Sequence, residues 1–437
     1  MKTLLPCKCS ASCLLACLAV CVTRAFAAEA PPTSPNAASN TLTVDAVVEA
    51  VVRHNPELEF YHAEIAAARA GRRTAAQWQN PELSADLGSK RVWDRGGPVL
   101  GDGAAWSVSV AQTFEYPGRI ALRKAIANRQ VELAELGLAQ FQASLAARAR
   151  TKAQVALAAQ QKADATHEVA QRFRSLLDVL VQRDPAGVTP LLDQRIIEAT
   201  SVTLQRRVAQ AGRELQGALL ELNQWRGAPA GAPLRLTGSL EVPTNSPSLP
   251  VLLEVAATNS FDLRMRQAEL TQQGFQVELA RNERYPTVTV APFYASEKAN
   301  DEQRIVGVGV SVPLPLWNSN RGNIEAARAR EQQAEASLRA TQRDVERRVT
   351  DHAQALETQL TEMAQWRPDA QAQFREAAEL ADRHFRLGAV PVTIYVEMQL
   401  KYLDALEALL ATRHEALEQR QQLEVLLGKP LDPLTSR

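Results

Sequence analysis

Val306-Gly307-Val308-Gly309-Val310-Ser311-Val312 alternates a β-branched residue with one that has almost no side chain. A period of two belongs to a strand with one apolar face and one small or polar face. Such a strand suits a half-buried sheet packed on helices. It equally suits a transmembrane barrel with lipid outside and water inside. Beyond Pro313–Asn320, strand patterning stops and Arg321–Arg386 reads as one very long helix. The stretch therefore joins a two-faced strand directly to a helix far longer than a globular domain requires.

The same alternation recurs upstream. Leu83, Ala85 and Leu87 alternate with Glu82, Ser84 and Asp86, and Trp106, Val108 and Val110 with Ala105, Ser107 and Ser109. Val288 and Val290 alternate with Thr287 and Thr289. Other landmarks recur in one order at a nearly constant offset, which marks an internal repeat. Asn80-Pro81 returns as Tyr285-Pro286, Val108–Val110 as Val308–Val310, Gly187 with Pro190 as Gly388 with Pro391, and Gly227 as Gly428. The first repeat spans residues 43–228, with a hairpin at 81–114 and long helices at 118–182 and 190–226. The second spans 249–428, with a hairpin at 286–314 and long helices at 321–386 and 391–427. Residues 28–42 read as a disordered leader, 229–248 as a Pro/Gly/Ser-rich linker and 429–437 as a tail.

A helix over 118–182 runs for about 65 residues, or ~97 Å. The shorter helices of each half, about 25 and about 37 residues, together match its length, so they are expected to stack end to end beside it. Apolar residues fall seven apart at Val131, Leu138 and Leu145, at Ile197, Leu204, Ala211, Ala218 and Trp225, and at Leu403, Leu410 and Leu417. That spacing drives coiled-coil packing. Pro368 interrupts the second long helix, and a proline removes an intrahelical hydrogen bond, so a kink is expected there. The fold expected is mainly α with a small β part.

Composition narrows the function. Lys+Arg and Asp+Glu both number 49, so the basic excess of a nucleic-acid binder is missing. All five cysteines lie between Cys7 and Cys21, inside a segment with Lys2, Lys8, an apolar run and Ala25-Phe26-Ala27-Ala28. That pattern reads as a signal peptide over residues 1–27, and hence as an exported chain. Leu14-Leu15-Ala16-Cys17 offers a rival reading, a lipobox that leaves a lipidated Cys17. No later segment has the ~18 apolar residues of a membrane-spanning helix. The six histidines form no H-E-x-x-H pair, and no nucleophile elbow, phosphate loop or dinucleotide motif occurs. The sequence thus points away from an enzyme and assigns no catalytic residue, cofactor or metal ligand. Two hairpins supply only four strands, and an open four-stranded sheet leaves unpaired backbone in lipid, so a barrel would need several copies.

Val310-Ser311-Val312-Pro313-Leu314-Pro315-Leu316-Trp317-Asn318-Ser319-Asn320-Arg321-Gly322-Asn323 resembles the strand-to-helix junction of the TolC-type outer-membrane factors. The counterpart in the first half is Ala111–Arg119. Arg386–Pro391 and Asp184–Pro190 resemble the family's periplasmic helix–helix turns. The likeness extends over residues 42–428 and leans toward the CzcC-like branch associated with heavy-metal efflux. It implies a homotrimer in the outer membrane, with a 12-stranded β-barrel above a periplasmic α-barrel. Trp106, Val108, Val110, Val306, Val308, Val310 and Val312 would then face lipid. Gly187, Val188, Pro190, Gly388, Ala389, Val390 and Pro391 would dock onto a periplasmic adaptor linked to an inner-membrane pump of the resistance-nodulation-division class. Asp193 and Glu397 are the candidate acidic gate, and divalent cations such as cobalt, zinc or cadmium the implied cargo. A duct for organic compounds or secreted protein, or an envelope coiled-coil scaffold without a pore, fits the same composition.

Overall fold

The computed structural model describes residues 41–183, 191–367 and 369–431. In the first half, strand β1 (Thr41–Thr43) leads into α1 (Val44–His54) and α2 (Glu57–Ala75), then β2 (Glu82–Trp93) and β3 (Val99–Phe114), then α3 (Arg119–Arg183) and α4 (Leu191–Trp225). A short β4 (Arg235–Thr237) connects to α5 (Leu249–Asn259), α6 (Phe261–Asn282), β5 (Val288–Lys298), β6 (Glu302–Ser311), α7 (Arg321–Ala364), α8 (Ala370–Arg386) and α9 (Val392–Leu427). The order helix, helix, strand, strand, long helix, returning helix thus occurs twice. None of the described helices is long and apolar enough to cross a membrane.

The 65-residue α3 is the spine. Its N-terminal part packs on α2, where Tyr61 stacks on Phe141 at 4.6 Å and Arg69 pairs with Glu135 at 2.8 Å. Its C-terminal part packs on α4, where Lys152 pairs with Glu221 at 2.9 Å and Lys162 with Glu214 at 3.1 Å. The two shorter helices therefore follow one another along the long one. The seven-residue rule is visible in burial: Ile197, Leu204, Ala211, Leu403, Leu410 and Leu417 are all buried. Alanines at positions 149, 153 and 156 are fully buried in the same core, which lets α3 approach its neighbours closely.

The structure corrects several boundaries. The helix expected over 321–386 is two helices; regular structure stops after Ala364 and resumes at Ala370. Pro368 itself lies outside the described residues. The end of the expected leader is ordered, since Thr41 and Leu42 belong to β1. The expected linker is not a free tether either. Its β4 pairs in parallel with β1, and Gln160 of α3 grips the Leu236 backbone from both sides, donating to the carbonyl and accepting from the amide, each at 3.0 Å. Leu234, Leu236 and Leu240 are buried there. Three apolar side chains and a two-way amide bond offset the entropy of fixing a Pro/Gly-rich segment.

The α3–α8–α9 seam is the densest aromatic contact. Fully buried Tyr395 stacks on Phe385 at 4.9 Å and meets Phe173 at 5.1 Å. Phe173→Ala should destabilise the protein by about 3–5 kcal/mol, because both transfer energy and a cavity are at stake. Denaturant unfolding of the variant, followed by helical circular dichroism, measures the loss.

Candidate channel wall and helical tips

The four long strands form one antiparallel sheet in the order β2-β3-β5-β6. Its central pair, β3–β5, joins the two halves of the chain. The register places residues in rows across the strands. One row is Ala85, Val108, Tyr294 and Val306; the next is Leu87, Trp106, Ser296 and Arg304. Leu83 stands opposite Val110, and Pro292 opposite Val308. All seven residues singled out as barrel positions are exposed: Trp106, Val108, Val110, Val306, Val308, Val310 and Val312. Val306 is 79% exposed and Leu87 88%, values that isolated strand residues of a water-soluble fold rarely reach in such a run.

The opposite face carries mostly small and polar side chains, with Ile305 and Phe293 the large apolar exceptions in the rows below. Asp86, Ser107 and Ala295 share a row with Ile305, and Ser84, Ser109 and Phe293 share one with Gly307. Along β3 these residues are the less exposed set, as on the inner side of a curved sheet. Ser107 donates to Asp86 at 2.8 Å, the Thr113 and Thr289 hydroxyls meet at 3.0 Å, and Lys90 pairs with Glu297. The Phe293 ring lies over Gly307, 2.6 Å from where a Cβ would stand, so a side chain there would have to push the ring aside.

The sheet meets the helices at a polar pin. Arg119, almost buried at the start of α3, donates through Nε to Asn282 Oδ1 at 3.1 Å. It also donates through Nη2 to the Asn282 and Tyr285 carbonyls at 3.2 and 2.9 Å. Asn282 returns a bond to the Pro117 carbonyl at 3.0 Å, and Tyr116 stacks on Tyr285 at 4.3 Å. The chain turns into α3 through Gly118 at φ +89°. The equivalent turn into α7 uses Asn320 at φ +59°, whose side chain donates to the Ala280 carbonyl at 2.7 Å. Asparagine tolerates this left-handed conformation better than most residues.

At the far end, α8 closes with the two bonds of a Schellman motif, Ala389 N–H to His384 O and Gly388 N–H to Phe385 O, both at 2.9 Å. Gly388 takes φ +74°, which only glycine does without strain. Pro391 caps α9 in an extended conformation, one residue ahead of the helical turn where a proline is favoured. Val390 is half-buried and Ala389 exposed. Gly187, Val188 and Pro190, the equivalent positions of the first half, lie outside the described residues.

The two acidic candidates stand on different helices. Asp193 is half-buried in the first turn of α4, where the helix dipole favours a carboxylate. Glu397 is exposed in the second turn of α9. Neither forms an ion pair with another described residue. Beneath them lies a polar seam that composition did not reveal. Buried Gln399 donates to the Ala378 carbonyl at 2.6 Å, and Arg172 pairs with Glu168 at 2.7 Å. Arg386 pairs with Asp382 at 2.8 Å and donates to Ser175 at 3.1 Å. Burial pushes the Tyr395 phenol well above its ordinary range, so it stays neutral. The signal for this seam was present: Val392, Tyr395, Gln399, Tyr402 and Leu406 follow the helical core spacing, with one polar residue among them. Among the described residues, no group of three or more His, Cys, Asp or Glu side chains is placed to hold a metal.

Comparison with known proteins agrees with this geometry. Residues 252–429 match the family model for the outer membrane efflux protein. The cobalt-zinc-cadmium resistance protein CzcC of Cupriavidus metallidurans is 24% identical over 291 residues, 65% of this chain and 66% of that protein, just under two thirds of its length. A membrane protein from Pseudomonas aeruginosa superimposes with a TM-score of 0.68 at 19% identity, covering 89% of this chain and 91% of the other. The CmeC outer membrane channel of Campylobacter jejuni gives 0.68 at 13% identity, covering 88% and 85%. The sheet-topped helical fold is shared along nearly the whole chain, and the second half carries the sequence signature of the outer membrane efflux protein family.

Proposed function

We propose that this chain is the outer-membrane exit duct of a tripartite efflux system, a passive conduit that performs no chemistry. The observation that carries the reading is the inverted sheet. Large apolar side chains face outward from β2, β3, β5 and β6, the other face is mostly small and polar apart from Phe293 and Ile305, and no helix covers the outer surface broadly among the described residues. Both outer strands, β2 and β6, are sheet edges within one chain. In lipid those edges need partners. Pairing β6 of one copy with β2 of the next in a homotrimer closes twelve strands, within the size range of such barrels. The helices then continue the tube into the periplasm, and the repeated element order fits a duplicated half.

The similarity to CzcC favours divalent metal cations as cargo over organic compounds or secreted protein. Docking on the periplasmic adaptor is assigned to the tips, Gly388–Pro391 and, by the repeat, Gly187–Pro190, with a proton-driven pump of the resistance-nodulation-division class behind it. A scaffold without a pore would have no use for an outward apolar sheet.

Val308→Arg should cost about 2–4 kcal/mol on insertion, as a charge on the lipid side does, while Ser109→Lys on the water side should insert normally. Heat-modifiable oligomer bands in outer-membrane fractions and single-channel conductance in planar bilayers measure both. A soluble monomer with equal tolerance at both positions would overturn the channel reading.

Three copies of Asp193 or Glu397 form a ring that attracts cations. Asp193→Asn and Glu397→Gln should each lower the cation-to-anion permeability ratio, read from reversal potentials in a salt gradient. Unchanged ratios in both variants remove the acidic gate.

Ala389→Asp or Val390→Asp should abolish metal resistance in cells while leaving the oligomer and its conductance intact. Full resistance in either variant removes that residue from the docking surface.

A further inference from the structure

At the end of the sheet away from the helices, the four strands do not stay side by side. The β3–β5 ladder stops at Ala105 opposite Glu297, whereas β2 and β3 stay paired out to Trp93 opposite Val99. The last residues of β3 are therefore free of β5, and the β5–β6 turn lies across them. We propose that this turn is a lid, folded inward over the outer mouth of the channel and latched by Lys90. The inference rests on the channel reading and adds a gate at the end opposite the helical tips.

Two glycines mark the crossing. Gly101 and Gly103 continue the inward parity of Ala105, Ser107 and Ser109 on β3. A Cβ at Gly103 would stand 1.7 Å from the Lys298 carbonyl oxygen, and one at Gly101 2.7 Å from the Asn300 amide nitrogen. Backbone of the turn thus rests directly on β3, on the face that lines the channel. A side chain at either position would push it off.

Lys90 holds the turn there. It stands on β2 opposite Gly103, with the inward parity of Asp86. Its ammonium donates to Glu297 of β5 and, at 3.3 Å, to Gln303 of β6, two residues that oppose each other. β2 and β5 are not neighbours in the sheet. They are two strand spacings apart, or ~10 Å, and β6 is one spacing further. One lysine thus reaches across the inner face of the sheet, and its bonds curl the two hairpin tips toward each other. Lys90 and Glu297 are only 31% and 32% exposed, although they stand near the rim. The pairs on the outward face are more open and need no curl: Arg91 with Asp102 joins adjacent strands, and Arg304 with Glu302 lies on one strand. The helices leave from the other end of the sheet, so in a homotrimer three such turns stand around the mouth at the cell surface.

The test reads entry from outside intact cells. Beyond Cys21 the chain has no cysteine of its own. Ser109→Cys places a thiol on the inner wall six residues, or ~20 Å, below Gly103. Gly96→Cys places one in open space on the β2–β3 turn. The probe is a maleimide carried on a polymer too large for general porins. Gly96→Cys should react at one rate in every background. Ser109→Cys should react slowly with Lys90 in place and about fivefold faster with Lys90→Met, the factor by which a partly exposed ion pair shifts an equilibrium. Gly103→Val, which unseats the turn and leaves Lys90 in place, should also speed entry. Lys90→Glu combined with Glu297→Lys should restore slow entry; if entry stays fast, that pair is not the latch. A Ser109→Cys rate that Lys90→Met leaves unchanged, whether fast or slow, rejects the latch and leaves the channel reading standing. If Gly96→Cys in the membrane fraction is not labelled on intact cells, the sheet tip does not reach the cell surface, and the channel reading itself fails.

Discussion

A peptide N–H or C=O that faces hydrocarbon without a partner costs several kilocalories per mole. The architecture follows from that cost. The chain carries four strands whose outward side chains suit lipid, yet β2 and β6 each have one bare edge. A hairpin alone is marginal even in water, and each half contributes only one. The shortage of strands within one chain is thus what makes self-association part of the proposal, with the apolar convex face setting its environment.

The helical part answers a different solvent. There the buried residues are alanines, leucines and valines at coiled-coil spacing, and the exposed faces carry charges that pair locally. Interhelical pairs such as Lys162 with Glu214 and Glu407 tie α3 to both α4 and α9. Partial burial opposes the charge on Lys162, but its bonds to Glu407 and Glu214 hold its pKa above the ordinary value, and the Gln210 hydrogen bond, followed by Lys162, lowers that of Glu214. Such half-exposed pairs fix register more than they add stability. Stability comes from the seams, where Phe173, Leu157, Ile197 and Leu204 are essentially out of water.

Much of this was legible in the sequence wherever one physical period ran long enough. The helix expected over 118–182 is found at Arg119–Arg183, and the one over 391–427 at Val392–Leu427, because glycine and proline punctuate both ends. The strands showed through parity: one face valine, the other glycine or serine. The short pieces were not legible. The pairing of β1 with β4 involves three residues on each side and is held by Gln160, a contact that no local pattern announces. The interruption of 321–386 was signalled only by Pro368, and its extent, from Ala364 to Ala370, had no pattern of its own in the sequence. The acidic candidates were chosen by likeness to a family, and their surroundings show two separate carboxylates. The buried Tyr395–Gln399 seam was not read from the sequence, although its residues keep the helical core spacing.

The junction explains why the two halves must fold together. Arg119 belongs to the first half, yet all three of its bonds reach Asn282 and Tyr285 of the second. Those bonds fix the turn leaving β3 against the turn entering β5, the two strands whose pairing makes one sheet from two hairpins. A guanidinium can satisfy three acceptors at once, and a lysine in its place could not span them in one plane. The stacked Tyr116 and Tyr285 rings shield that pin where the sheet gives way to the helical spine. The same few residues therefore help set the angle between the sheet and the helical spine.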